Sequence, residues 1–157
     1  MTIPTPRSWI RFGLLLLLAL VAIQLVPYGR DHANPPTLSE PRWDSPETRQ
    51  LAKRACFDCH SNETEWPVYS RLAPASWLIQ YDVNEGRKAL NFSEWQRPRK
   101  EAEDAAEEVT EREMPPAVYR LMHAHARLSE ADRELLARGL SRTFGESHER
   151  AAADGRD

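Results

Sequence analysis

The feature that most constrains this chain is the pentapeptide Cys56-Phe57-Asp58-Cys59-His60, which contains its only two cysteines. Two cysteines separated by two residues and followed at once by histidine form the C-x-x-C-H attachment signature of a c-type haem. On a helix the two thiols lie near one face, where each can form a thioether with a haem vinyl group. His60 can then ligate the iron as the proximal ligand. The motif therefore predicts haem c, with its iron, covalently attached at Cys56 and Cys59.

Four other interpretations compete for the cysteine pair. A thioredoxin-like redox pair requires a strand–helix–strand context, and the sequence contains no such pattern. A zinc site needs further ligands at finger spacing, and only His123 and His125 could contribute, awkwardly. A disulfide between cysteines so close in sequence closes a very small loop and stabilises little. A helical interaction module without haem would leave the cysteines reduced or joined.

An uncharged stretch near the N-terminus, residues 12–26, reads FGLLLLLALVAIQLV. It is shorter than the ~20 apolar residues that usually cross a bilayer, but Trp9, Ile10, Pro27 and Tyr28 extend it. Basic residues precede it, which predicts that the N-terminus stays inside and the remainder is exported.

A cleavable signal peptide is the alternative, but no small-residue pair follows the stretch where cleavage requires one. We expect residues 1–28 to be a signal anchor, a transmembrane helix that crosses the inner (cytoplasmic) membrane once. The haem domain would then face the periplasm or the exterior, with the membrane as a partner through this helix.

The remaining chain divides into three parts. Residues 29–43 hold one glycine and three prolines without an apolar period, which predicts an extended tether in which His32 is solvated. Residues 44–145 carry amphipathic helix patterns and predict a small all-α, cytochrome c-like haem domain. Residues 146–157 are expected to be a disordered tail. With a net charge of −3, nothing indicates a nucleic-acid partner.

Helix signals recur through the predicted domain. The expected helices start near Asp44, Pro74, Asn91, Glu101 and Leu128. The first ends at the C-x-x-C-H motif, and Gly86 is expected to interrupt the second. Pro98 should disturb the third, and Gly145 should end the last.

Met114 is the candidate sixth ligand of the iron, because two prolines follow it and hold it on an extended loop outside a helix. Methionine opposite histidine raises the reduction potential relative to two histidines. Met122, His123 and His125 are rivals for this position, and Met114 could instead simply fill the core.

Trp66 and Tyr69 follow the motif in a polar turn. They are candidates for cofactor binding, since they could close over a porphyrin edge while their N–H and O–H groups find partners. Plain core packing of the two rings would explain them equally well.

Four segments carry the pattern beyond C-x-x-C-H: CFDCHSNETEWPVYS, APASWL, DVNEGRKALNFSEW and MPPAVYRLMHAHARLS. Together they resemble the haem-binding domain family of bacterial exported cytochrome-like proteins, over about Pro35 to Leu140. The resemblance implies a small all-helical c-type haem domain behind an N-terminal membrane segment. It implies thioethers on Cys56 and Cys59 and a proximal ligand at His60. The M-P-P segment is similar to the axial-methionine loop of mono-haem cytochromes c.

The function predicted from these features is a membrane-anchored mono-haem cytochrome c that exchanges electrons with a redox partner protein. No Ser-His-Asp order, phosphate-binding glycine loop or carboxylate pair indicates independent catalysis, so an electron carrier is favoured over an enzyme. The alternative is a haem-based sensor or small peroxidase in which the sixth iron position is open or displaceable.

Overall fold

The computed structural model describes residues 6–96 and 104–154, and its regular elements are helices. They are α1 (Pro6–Ile23), α2 (Pro46–Ala55), α3 (Phe57–His60), α4 (Ala75–Ala89), α5 (Ala105–Thr110), α6 (Ala117–Met122) and α7 (Glu130–Asp154). Short 3-10 turns lie at Val68–Arg71 and Ala124–Ala126. The described residues are helical, as predicted, but the N-terminal segment and several helix boundaries differ from the prediction.

The prediction of an N-terminal transmembrane helix is wrong. α1 contains 18 residues and ends at Ile23, so Pro27 and Tyr28 do not extend it. Among the helices of the described chain, none combines the length and the apolar character needed to cross a membrane, for which about 20 mostly apolar residues are required. The predicted single-pass location in the inner membrane, with the haem domain facing the periplasm, depended on that helix and is therefore also wrong.

The chain forms two compact units. Of the described residues, the first unit comprises 6–33 and 66–82, and the second comprises 34–65, 83–96 and 104–154. The division into a tether, a domain and a tail at residues 43 and 145 stays a prediction.

In the first unit, the side chain of Gln24 binds the backbone of Ala73. Its Nε2 donates to the Ala73 carbonyl at 2.9 Å, and its Oε1 accepts from the Ala73 N–H at 3.0 Å. Gly29 has a φ of +77°, and a Cβ there would lie 2.0 Å from the Ser76 carbonyl oxygen. A glycine is therefore required at this turn for both conformation and space.

The core of the second unit is formed by α2, α5 and α7 together with Phe57 of α3 and two residues that follow the α4 C-terminus. Its buried apolar side chains are Leu51, Ala52, Ala55, Phe57, Leu90, Phe92, Val109, Leu136, Ala137, Leu140 and Phe144. The members from α2 recur at spacings of three and four residues, which places them on one helix face, as predicted.

The start of α2 is fixed by a cap and by a close contact with α7. Ser45 Oγ accepts a hydrogen bond from the Thr48 amide at 3.1 Å, which confirms the predicted capped start. Thr48 is buried against Gly139 of α7, where a Cβ would lie 2.1 Å from Thr48 Oγ1. The glycine thus allows the two helices to approach closely.

Several expected helix boundaries are wrong. α4 continues through Gly86, and α7 continues past Gly145 to its end. Residues 91–96 form turns instead of a capped helix, because the buried Ser93 hydroxyl accepts a hydrogen bond from another segment of the second unit. The disturbance expected at Pro98 lies outside the described residues.

Replacing Gly139 with alanine tests the α2–α7 contact. We expect Gly139→Ala to lower the free energy of unfolding by about 1–3 kcal/mol, as overpacking usually does. Thr48 has little room to move, because it is buried and its hydroxyl contacts Ser45 Oγ at 3.1 Å. Urea unfolding measures the change.

Gly145→Ala is the matched control in the same helix, since a Cβ there meets nothing within 4 Å. Helix propensity should make this variant more stable, by up to about 1 kcal/mol. Equal stability of the two variants would contradict the close contact.

Candidate functional site

The C-x-x-C-H motif forms a helical turn of its own. α2 ends at Ala55, and Cys56 leaves the helical conformation (φ −122°, ψ −33°) while its N–H donates to the Ala52 carbonyl at 2.7 Å. α3 follows at once, with the His60 N–H donating to the Cys56 carbonyl at 2.9 Å. The motif therefore does not end the first helix, as the sequence suggested, but begins a new one. Its two cysteines and its histidine are half-buried.

The first spacer residue of the motif, Phe57, anchors this turn in the core. It is 2% exposed, and its ring stacks on Phe92 with centroids 5.4 Å apart. The Trp43 ring packs at an angle to the Phe57 ring, with centroids 6.2 Å apart. The guanidinium carbon of Arg49 lies 5.6 Å from the centroid of the Phe57 ring. Burial of such a side chain stabilises by about 1.5–3 kcal/mol. Core packing therefore fixes the position of the motif.

His60 is oriented by the backbone of the segment after α4. Its Nδ1 lies 3.1 Å from the Leu90 carbonyl oxygen. The backbone carbonyl of His60 accepts a hydrogen bond from the Phe92 N–H at 2.8 Å. Because a carbonyl only accepts, Nδ1 carries the proton, and in the neutral imidazole the lone pair is therefore on Nε2. A second-shell hydrogen bond of this kind fixes the tautomer and ring orientation of metal-ligating histidines.

α4 lies directly against the motif at Gly86. A Cβ at this position would lie 2.4 Å from the Cys59 carbonyl oxygen and 2.9 Å from Cys59 Cβ. The next residue, Arg87, donates from Nε to the Ser61 carbonyl at 2.7 Å. The glycine that the sequence suggested as a helix interruption is instead a point of close packing inside a continuous helix.

The two thiols are not joined by a disulfide. Desolvation, and secondarily the neighbouring Cys59, raises the pKa of Cys56 to about 12. Redox-active C-x-x-C pairs depend on a lowered thiol pKa, which is opposite in direction to the shift at Cys56. Among the described residues, no group of three or more histidine, cysteine or carboxylate side chains is placed to hold a metal ion.

The second spacer residue, Asp58, connects the motif to α6. Its carboxylate accepts hydrogen bonds from the Tyr119 hydroxyl at 2.5 Å and from the Glu65 N–H at 2.8 Å. Desolvation and the hydrogen bond to Asp58 raise the pKa of Tyr119 well above its ordinary value, so its hydroxyl stays a donor. The helix that follows Met114 is therefore tied to the C-x-x-C-H turn.

Met114 lies on the loop between α5 and α6 and is 36% exposed. Its N–H donates to the Glu108 carbonyl at 3.1 Å. Arg120 closes this loop from α6, since its guanidinium donates to the carbonyls of Pro115 and Arg112. The loop thus has a defined conformation, but the role of Met114 as an iron ligand stays a prediction.

The rivals of Met114 lie on and after α6. Met122 is 58% exposed. His123 stacks on Tyr119 with centroids 4.1 Å apart, and its Nδ1 lies 3.1 Å from the Tyr119 carbonyl oxygen. His125 meets His123 edge-on at 5.6 Å and lines a cavity of about 320 Å³ together with the two spacer residues of the motif.

Trp66 and Tyr69 belong to the first unit, whereas the motif belongs to the second. Trp66 stacks on His32 with centroids 4.8 Å apart, and His32 Nε2 lies 2.9 Å from the Ser70 hydroxyl. His32 is therefore packed and hydrogen-bonded, not solvated as expected. Tyr69 lies in the 3-10 turn Val68–Arg71. A role for either aromatic ring toward haem stays a prediction.

The residues of the second unit fit a c-type haem. One turn supplies two thiols, of which Cys56 is kept neutral, and an imidazole whose Nε2 carries the lone pair. On α6, Val118, Leu121 and Met122 are exposed and recur at spacings of three and four residues. Such an apolar helix face suits contact with a porphyrin.

Several residues of the site were not singled out from sequence. Asp58 lies inside the motif and Tyr119 follows the M-P-P segment, but their contact joins positions 61 residues apart. The Leu90 carbonyl is a backbone group without a sequence signal. Gly86 did carry a signal, since a glycine inside a helical pattern often marks close packing.

A protein-family model described as "Haem-binding domain" matches residues 18–142 of the chain. The match includes the C-x-x-C-H turn, α4, the Met114 loop and about the first half of α7, which it covers as far as residue 142. No curated protein and no solved structure matches the chain at a significant level.

Replacing Gly86 with alanine tests the packing of α4 against the motif. The neighbour is a backbone carbonyl that cannot rotate away, so we expect Gly86→Ala to displace the turn. The amount of haem per polypeptide should fall, and the free energy of unfolding should drop by about 1–3 kcal/mol. Haem absorbance per chain and thermal unfolding measure the two effects, with Gly145→Ala as the control. Unchanged haem content in Gly86→Ala would contradict this description of the site.

Proposed function

The chain belongs to the haem-binding domain family, and from this premise we propose that it is a mono-haem c-type cytochrome domain. In this proposal Cys56 and Cys59 hold haem covalently, and His60 is the proximal ligand of its iron. The observation that carries the proposal is the hydrogen bond between His60 Nδ1 and the Leu90 carbonyl, because it directs the lone pair to Nε2 immediately behind the cysteine pair.

Cys56 and Cys59 would hold haem through two thioethers, each corresponding to addition of one S–H across one vinyl group, which needs no oxidant or reductant. The protein contributes a rigid starting geometry, since burial of Phe57 and the close contact at Gly86 fix the backbone that carries both sulfurs. Bound haem supplies one-electron redox chemistry, and the protein tunes its potential and access.

In this proposal Met114 would hold the iron as its second protein ligand. Two features support it: Arg120 closes the loop on which Met114 lies, and Tyr119 connects the following helix to the motif through Asp58. A thioether opposite His60 raises the reduction potential relative to a second histidine. A closed sixth position suits a carrier that exchanges electrons without binding a substrate.

Electron exchange takes place with a redox partner protein. The segment that leads into the Met114 loop presents exposed carboxylates at Asp104, Glu107, Glu111 and Glu113. A cluster of like charge steers the encounter with a partner of opposite charge. The expected partner therefore presents a basic surface.

A haem-based sensor or small peroxidase is the second candidate. The 36% exposure of Met114 favours it, because a partly exposed ligand can be displaced by a small molecule. In this alternative the protein would act through an open or exchangeable sixth iron position at which a small molecule binds.

Replacing Met114 with alanine separates the two functions. We expect a low-spin spectrum for the wild type, with a methionine-to-iron charge-transfer band in the oxidised form. Met114→Ala should abolish this band and lower the reduction potential, because the thioether ligand is lost. Visible spectroscopy and redox titration of protein made with c-type haem maturation machinery measure both.

Met122→Ala is the comparison variant, because Met122, an exposed methionine at the end of α6, is a rival for the same iron position. If Met114 is the ligand, Met122→Ala should retain the methionine-to-iron band. A wild-type spectrum that is high-spin, and that Met114→Ala leaves unchanged, would reject the electron carrier in favour of the sensor or peroxidase.

A further inference from the structure

Tyr119 occupies a distinctive place between the two parts of the site. Its hydroxyl donates to a carboxylate oxygen of Asp58 at 2.5 Å, and Asp58 stands between the two cysteines of the motif. The other oxygen of that carboxylate accepts from the Glu65 N–H at 2.8 Å. The acceptor of the tyrosine is therefore itself held in place by the backbone.

The chain between Tyr119 and Met114 is short and internally braced. The Arg120 N–H donates to the Pro116 carbonyl at 3.0 Å in the first turn of α6. The Arg120 guanidinium also donates to the Pro115 carbonyl and, at 3.0 Å, to the Arg112 carbonyl. A shift of Tyr119 relative to the motif is therefore passed on to the loop that carries Met114.

We propose that Tyr119 is a positioning residue that, through its hydrogen bond to Asp58, holds the Met114 loop in place relative to the C-x-x-C-H turn. This inference rests on the proposed role of Met114 as axial ligand. Loss of the hydrogen bond leaves the loop able to move away, so that an added ligand competes with Met114 more effectively.

Tyr119→Phe isolates the hydroxyl from the rest of the side chain. The tyrosine ring also stacks on His123 with centroids 4.1 Å apart, and phenylalanine retains this contact. Only the hydrogen bond to a charged acceptor is lost. The free energy lost with such a hydrogen bond is enough to change an equilibrium constant, here the one for imidazole binding, by about tenfold or more.

The test is a titration of the oxidised haem protein with imidazole, followed through the change in the visible haem absorption spectrum, which can be measured in every variant. We expect Tyr119→Phe to bind imidazole at least about tenfold more tightly than the wild type. Asp58→Ala should have a similar effect, and the double variant should add little to either, because both substitutions remove the same hydrogen bond. The haem content of each variant is measured first.

Two controls separate positioning from general destabilisation. Tyr81→Phe removes the hydroxyl of an exposed tyrosine and should leave imidazole affinity unchanged. Gly139→Ala destabilises the second unit at the α2–α7 contact and should lower the melting temperature without changing imidazole affinity. An effect of Gly139→Ala equal to that of Tyr119→Phe would overturn the positioning role.

The outcomes also separate this inference from the proposed function. If Met114→Ala binds imidazole tightly and Tyr119→Phe behaves as the wild type, Met114 is a ligand but Tyr119 does not position it. If Met114→Ala itself behaves as the wild type, the axial role of Met114 fails and the inference fails with it. The inference is supported if Met114→Ala and Tyr119→Phe both bind imidazole more tightly than the wild type and Tyr81→Phe binds it with wild-type affinity.

Discussion

Burial of Phe57 is the interaction on which the rest of the site depends. This ring is 2% exposed and lies between the two cysteines of the motif, so the core of the second unit fixes the turn from inside. The other spacer, Asp58, faces Tyr119 and connects the same turn to α6. The two spacer positions of C-x-x-C-H therefore carry separate structural tasks, one in the core and one toward the Met114 loop. His60 gains its orientation from the same rigid turn and from the Leu90 carbonyl.

The motif and the local helix signals were predictable from sequence because they depend on neighbouring residues. The cap at Ser45 and the buried face of α2 follow from side-chain hydrogen bonding and from helical periodicity, and both occur as predicted. The haem-binding family was also recognisable, since its segments extend well beyond the cysteine pair. The hydrogen bond that orients His60 and the pairing of Asp58 with Tyr119 were not predictable, because both join distant positions.

Two of the incorrect predictions, those at Gly86 and His32, have their physical origin in tertiary context. Gly86 and Gly145 were both interpreted as helix breakers, yet α4 and α7 continue through them. At Gly86 the absence of a side chain allows contact with the motif, so packing outweighs the intrinsic cost of glycine in a helix. The predicted transmembrane helix included apolar residues beyond Ile23, but α1 ends at Ile23. His32 appeared solvated because its stacking partner, Trp66, is 34 positions away in sequence.

The central claim is that haem is attached covalently to Cys56 and Cys59. The most direct test is the intact mass of the denatured chain, made in a host with c-type haem maturation machinery. We predict the mass of the polypeptide plus one haem for the wild type, and the mass of the polypeptide alone when both cysteines are replaced by serine. A wild-type chain that binds haem when folded but releases all of it on denaturation would contradict covalent attachment.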